Sequence, residues 1–154
     1  LIKFISKGKV KIMFMYVFSV VLIVAANIFY NICQKSTPQK ANPFIALFTT
    51  YAIASIVTFI LFHFSKTDKG FLESIKDLNW TSIVLAFCIV GLEFGYIMAY
   101  RSGWSISLCP LVTNSILTIL LIPIGIFIFK ENFDVNKLFG IIFCIIGLIL
   151  INRN

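Results

Sequence analysis

The chain has 154 residues, 60% of them hydrophobic and 12% charged, with a net charge of +7 and a mean hydropathy of +1.01. Soluble domains carry about 45–50% apolar and about 25% charged residues, so an ordinary soluble domain, a disordered chain and a DNA-binding module are excluded. Of the 13 basic residues, Lys3, Lys7, Lys9 and Lys11 crowd the first eleven positions and the rest are scattered between apolar runs. That placement suits orientation signals beside membrane spans, not a nucleic-acid surface.

A spanning helix needs about 20 mostly apolar residues, and five such stretches are predicted, at about 12–32, 43–64, 81–100, 106–129 and 137–151. The expected class is therefore all-α and polytopic, because backbone groups in lipid must pair within their own segment. In the first stretch, Met13 to Ala26 after the basic tail resembles a signal peptide with Val24 and Ala26 at small-residue positions. The apolar run continues to Ile32, which favours a retained span. Thr37-Pro38 and Asn42-Pro43 separate the first two spans, since proline disfavours helix for the residue before it. Between spans two and three, Phe71, Ile75 and Leu78 recur at helical spacing within the polar stretch 63–79, predicting a short interfacial helix with Trp80 at headgroup level. A tight turn with Gly103 joins spans three and four, and a polar loop from Lys130 to Asn136 joins spans four and five.

Five spans put the termini on opposite sides. The N-terminal side then holds Lys3, Lys7, Lys9, Lys11, Lys66, Lys69, Lys76, Lys130 and Lys137, nine in all, against four (Lys35, Lys40, Arg101, Arg153) on the other. The excess predicts a cytoplasmic N-terminus in a plasma (inner) membrane. Without the tail the count is five against four, so insertion in both orientations stays open.

Glu93 stands near the middle of the third span. A carboxylate at that depth is expensive and usually faces a cavity, a partner or an ion path, which makes Glu93 a candidate proton or cation site. The plainer alternatives are a bond to a neighbouring helix or a pair with Arg101. At 100° per residue, Glu93, Ile97 and Tyr100 share a face with Tyr96 beside it, while Gly91, Gly95 and Ala99 form a ridge for close helix packing on the other side. Asn27, Tyr30, Asn31 and Gln34 line one face of the first span, Thr49, Thr50 and Tyr51 open the second, and Ser105, Ser107, Thr113 and Asn114 open the fourth. Together they describe a polar vestibule in the half away from the N-terminal side, with Glu93 at its floor and Tyr96, Tyr100, Asn27, Asn31 and Asn114 as candidate substrate-binding groups. Hydroxyls bonding their own helix are the bland alternative. Pro110 and Pro123 are expected to interrupt the fourth helix as hinges or gates. One His and the scattered Cys33, Cys88, Cys109 and Cys144 predict no metal, and no cofactor loop or nucleophile with its base is present, so no enzyme is expected.

The stretch GLEFGYIMAYRSGWSIS at 91–107, with Phe129-Lys130-Glu131, Lys137, Gly140, Cys144 and Gly147 after it, resembles the drug/metabolite transporter superfamily, as a single EamA-like domain over residues 12–152. The resemblance implies a small-molecule secondary transporter, an exporter or exchanger, working by alternating access. It also implies half of a ten-helix carrier, completed as a homodimer, with lipid and a small-molecule substrate as partners and no nucleic acid. The four-span multidrug relatives carry a Glu in their first helix. This first helix has none, so Glu93 would have to take that role. A flippase subunit for a lipid-linked sugar and a non-transporting accessory subunit are the other readings.

Overall fold

The computed structural model describes residues 2–65, 69–131, 139–140, 142–143, 145–147 and 150, with side chains described from residue 13 onward. The described residues form the helices α1 (Ile2–Ser36), α2 (Pro43–Phe64), α3 (Phe71–Lys76), α4 (Trp80–Arg101) and α5 (Leu108–Phe127). Met13–Ser36 within α1, and all of α2, α4 and α5, are long and apolar enough to cross a membrane. These match the first four expected spans to within a few residues. Of the fifth, 137–151, the described residues 139–140, 142–143, 145–147 and 150 are helical, and the others lie outside the described residues.

The helix ends have local causes. Nothing after Ile32 breaks α1 until Thr37-Pro38, so the helix runs four residues beyond the apolar stretch. Asn42 caps α2, its side chain accepting from Phe44 N at 2.9 Å and Ile45 N at 3.4 Å, with Pro43 at the first helical position where a missing N–H costs nothing. The chain leaves α2 at Ser65, whose N–H reaches the Leu61 and Phe62 carbonyls. Asn79 caps α4 by accepting from Thr81 N at 3.0 Å and from the Thr81 hydroxyl.

The chain divides into two compact units, 1–102 and 103–154. In the first, α4 is the element that touches both α1 and α2. The buried side chains Asn31, Leu47, Ile97 and Tyr100 all lie toward the end where residues 37–42 join α1 to α2. There Phe44 stacks on Phe94 with ring centroids 5.2 Å apart, and Arg101 Nη2 donates to the Pro38 and Ala41 carbonyls at 3.0 and 2.7 Å. At the opposite end Phe71 of α3 packs edge-on against Phe59 and Phe62 of α2. Elsewhere the apolar side chains point outward, Phe48 being 72% and Phe87 76% exposed. Apolar outer faces are what a hydrocarbon solvent requires.

Two expectations are corrected here. In the Gly91–Gly95–Ala99 ridge the two glycines make no close helix contact within this unit: a Cβ added at Gly91 or Gly95 meets nothing within 4 Å. Helical period places a ridge on a face but does not say which face meets a neighbour. In the second unit α5 starts at Leu108, so Pro110 lies in its first turn and breaks no helical bond. Only Pro123 sits inside the helix. After α5 the chain turns back at Lys130, in the left-handed region (φ 53), and Glu131 N–H bonds the Gly125 carbonyl at 3.0 Å. The Glu131 carboxylate lies against Gly125, where an added Cβ would stand 2.9 Å from Oε2.

Replacing Asn42 by Ala removes both cap bonds of α2 and should destabilise the protein by about 1 kcal/mol, read as a lower melting temperature in detergent. Asn42→Asp, which keeps the accepting oxygen, should hold most of the stability.

Candidate functional site

The polar face of α1 is a chain of bonds along the helix. Asn31 Nδ2 donates to the Asn27 carbonyl at 2.8 Å and to Asn27 Oδ1 at 2.7 Å. Asn31 Oδ1 in turn accepts from the Tyr100 hydroxyl of α4 at 2.6 Å, a bond buried from solvent. One turn on, Gln34 Nε2 donates to the Tyr30 hydroxyl at 3.2 Å. The Tyr30 ring meets Tyr96 of α4 edge-on, centroids 5.7 Å apart, and Tyr96 lies beside Tyr100. Lys35 Nζ sits 5.4 Å over the Tyr100 ring, within cation–π range.

Beside this tie lies a cavity of about 140 Å³, lined from α1 by Tyr30 and Gln34, from the α1–α2 turn by Thr37, from α2 by Thr50, and from α4 by Glu93 and Ile97. Glu93 is half-buried, and it is the one charged side chain on the wall. Tyr51 of α2 approaches the same carboxylate, and its buried hydroxyl has no hydrogen bond of normal geometry. Tyr30, Tyr51 and Glu93 therefore form a cluster contributed by three helices, with Tyr96 adjoining it. Drug-sized ligands occupy pockets of about 300–1,000 Å³, so this cavity admits a few waters or one small solute. With a carboxylate, hydroxyls and a phenol on its wall, it favours protons, small cations and hydrogen-bond donors over anions.

A model of the EamA-like transporter family matches residues 11–153. The chain belongs to the EamA-like transporter family. It is a multi-pass membrane protein of the drug/metabolite transporter type, consistent with a single EamA domain. No curated protein and no solved structure matches it.

Of the residues expected to bind substrate in this EamA-like transporter, Glu93 alone lines the cavity. Asn27, Asn31 and Tyr100 are joined to one another and tie α1 to α4, while Tyr96 belongs to the ring cluster. Asn114, Pro110 and Pro123 belong to the second unit, in which the Asn114 carbonyl accepts from the Thr118 hydroxyl at 2.7 Å. Arg101 bonds the 37–42 turn, so the alternative of a Glu93–Arg101 pair is not what the arginine does. Tyr30, Gln34, Thr50 and Tyr51 were grouped with Glu93 in the expected vestibule but were not singled out as binding groups; Tyr30, Gln34 and Thr50 line the cavity with it. A helical wheel ranks residues on one helix and carries no information on which of them a second helix faces.

Tyr100→Phe and Asn31→Ala should each destabilise by about 1 kcal/mol, and the double substitution by little more than either alone. A double-mutant cycle of unfolding in mixed micelles measures this coupling. Additive losses would show that the bond contributes nothing.

Proposed function

We propose that the protein is a secondary carrier of small solutes, an exporter or exchanger, operating by alternating access with Glu93 as the carboxylate that takes up a proton or a cationic substrate. The observation that carries this is the placement of one carboxylate on the wall of an otherwise uncharged cavity between three helices long and apolar enough to cross a membrane. Burying an ionisable group there is costly and is tolerated where it serves an ion or substrate path. Family membership supports transport as the activity.

The cavity of about 140 Å³ is small for a metabolite, which favours a site completed by a second unit. We therefore propose a homodimer, as half of a ten-helix arrangement requires, in a plasma (inner) membrane with the N-terminus on the cytoplasmic side. On this reading the Asn27–Asn31–Tyr100 tie positions α1 against α4, and the kink available at Pro123 serves the movement of α5. A second reading, a flippase subunit for a lipid-linked sugar, is favoured by a separate apolar groove of about 590 Å³ lined by Ile56, Phe59 and Phe62 of α2 and Phe71 of α3. Its walls suit an acyl or isoprenoid chain.

Proteoliposomes carrying an internal pH dye, offered a panel of small amines and zwitterions under an imposed pH gradient, test the first reading. An amine or zwitterion in the panel should move protons, and Glu93→Gln should reduce that coupled flux to the protein-free background. Undiminished flux in Glu93→Gln would remove the carboxylate from the mechanism. A dependence on lipid-linked sugar alone would select the second reading.

A further inference from the structure

Tyr51 Oη is buried and makes no hydrogen bond of normal geometry, yet it interacts with the Glu93 carboxylate of α4. Its neighbours on α2 are satisfied, Thr49 donating to the Ile45 carbonyl at 2.9 Å and Thr50 to the Ala46 carbonyl at 3.0 Å. Tyr51 has no such recourse, because its rigid ring carries the hydroxyl away from its own backbone. The acceptor beside it is the Glu93 carboxylate. The two helices are held in register nearby by the Phe44–Phe94 stack and by buried Leu47 and Ile97.

The other ionisable groups around the carboxylate are placed differently. Tyr30 of α1 accepts from Gln34, and Tyr96 of α4 packs against the Tyr30 ring. Lys35 lies over Tyr100, and Arg101 bonds the 37–42 turn.

We infer that Tyr51 is a positioning residue whose hydroxyl donates to the ionised Glu93 carboxylate when the site is empty, and gives way when a proton or cation takes that carboxylate. The inference rests on reading Glu93 as the loading group. Loading then removes a polar link between α2 and α4, so occupancy is felt in the packing of these two helices.

The test uses the full chain in lipid nanodiscs and dicyclohexylcarbodiimide, which adds to protonated carboxyls in apolar surroundings. Modification of Glu93 is followed by peptide mass, with Glu93→Gln as background. Tyr51→Phe should be modified several-fold faster than wild type at neutral pH, and the two rates should converge in acid. Thr50→Val, which removes an adjacent hydroxyl bonded to its own helix, should match wild type. Equal or slower modification in Tyr51→Phe, or the same acceleration in Thr50→Val, would overturn the inference. Labelling needs no transport, so its failure and the failure of the flux experiment point to different errors.

Discussion

A polar side chain at membrane depth cannot fall back on water, and leaving it unpaired costs several kcal/mol in hydrocarbon. In the first unit this constraint decides where the helices meet. Asn31 uses its amide on Asn27 and Tyr100, Gln34 is used by Tyr30, and the threonines of α2 bond their own helix. These pairings draw α1 and α4 together toward the 37–42 end, and Arg101 fastens the connecting turn to α4. Once they are made, the chemistry left beside the cavity is that of Glu93 and Tyr51. On the proposed reading, that carboxylate is the group that takes up a proton or cation.

The packing on α4 has a second consequence. Its buried contacts, Ile97 and Tyr100, sit in its last two turns, and the Phe44–Phe94 stack holds α2 nearby. The cavity forms just where the rings give way to the smaller Thr37, Ala46 and Thr50. Its size follows from having three helices around it, which leaves room for a small solute and little more. The remaining apolar faces are available to lipid or to further helices, and van der Waals contact and interhelical hydrogen bonds are what join helices in that medium.

Much of this was legible in the sequence because hydropathy and helix breakers act locally. The first four spans end close to where Pro43, Asn79 and Gly103 put them, and Gly103 takes the positive φ (95) that its turn requires. Glu93 could be singled out by cost alone, and the face it shares with Ile97 and Tyr100 follows from 100° per residue. The partners could not be read. Tyr100 bonds Asn31 across 69 residues, Arg101 reaches carbonyls 60 and 63 residues away, and Tyr51 approaches Glu93 from another helix. Each depends on which faces meet, and side-chain reach rather than periodicity decides it. The Gly91–Gly95 ridge shows the same limit in reverse, a good packing surface with no neighbour inside its own unit.

Central to all of this is a cavity whose electrostatics are set by one carboxylate, and Cys33, which also lines it, is a natural reporter. With Cys88, Cys109 and Cys144 replaced by Ser, the reaction of Cys33 in membranes can be timed with a cationic and an anionic methanethiosulfonate of similar size. Relative to their rates with a free thiol in solution, the cationic reagent should be favoured strongly, and Glu93→Gln should abolish that preference. No preference in the unsubstituted site, or one that survives Glu93→Gln, would contradict the assignment of this cavity to Glu93 and with it the proposed loading site.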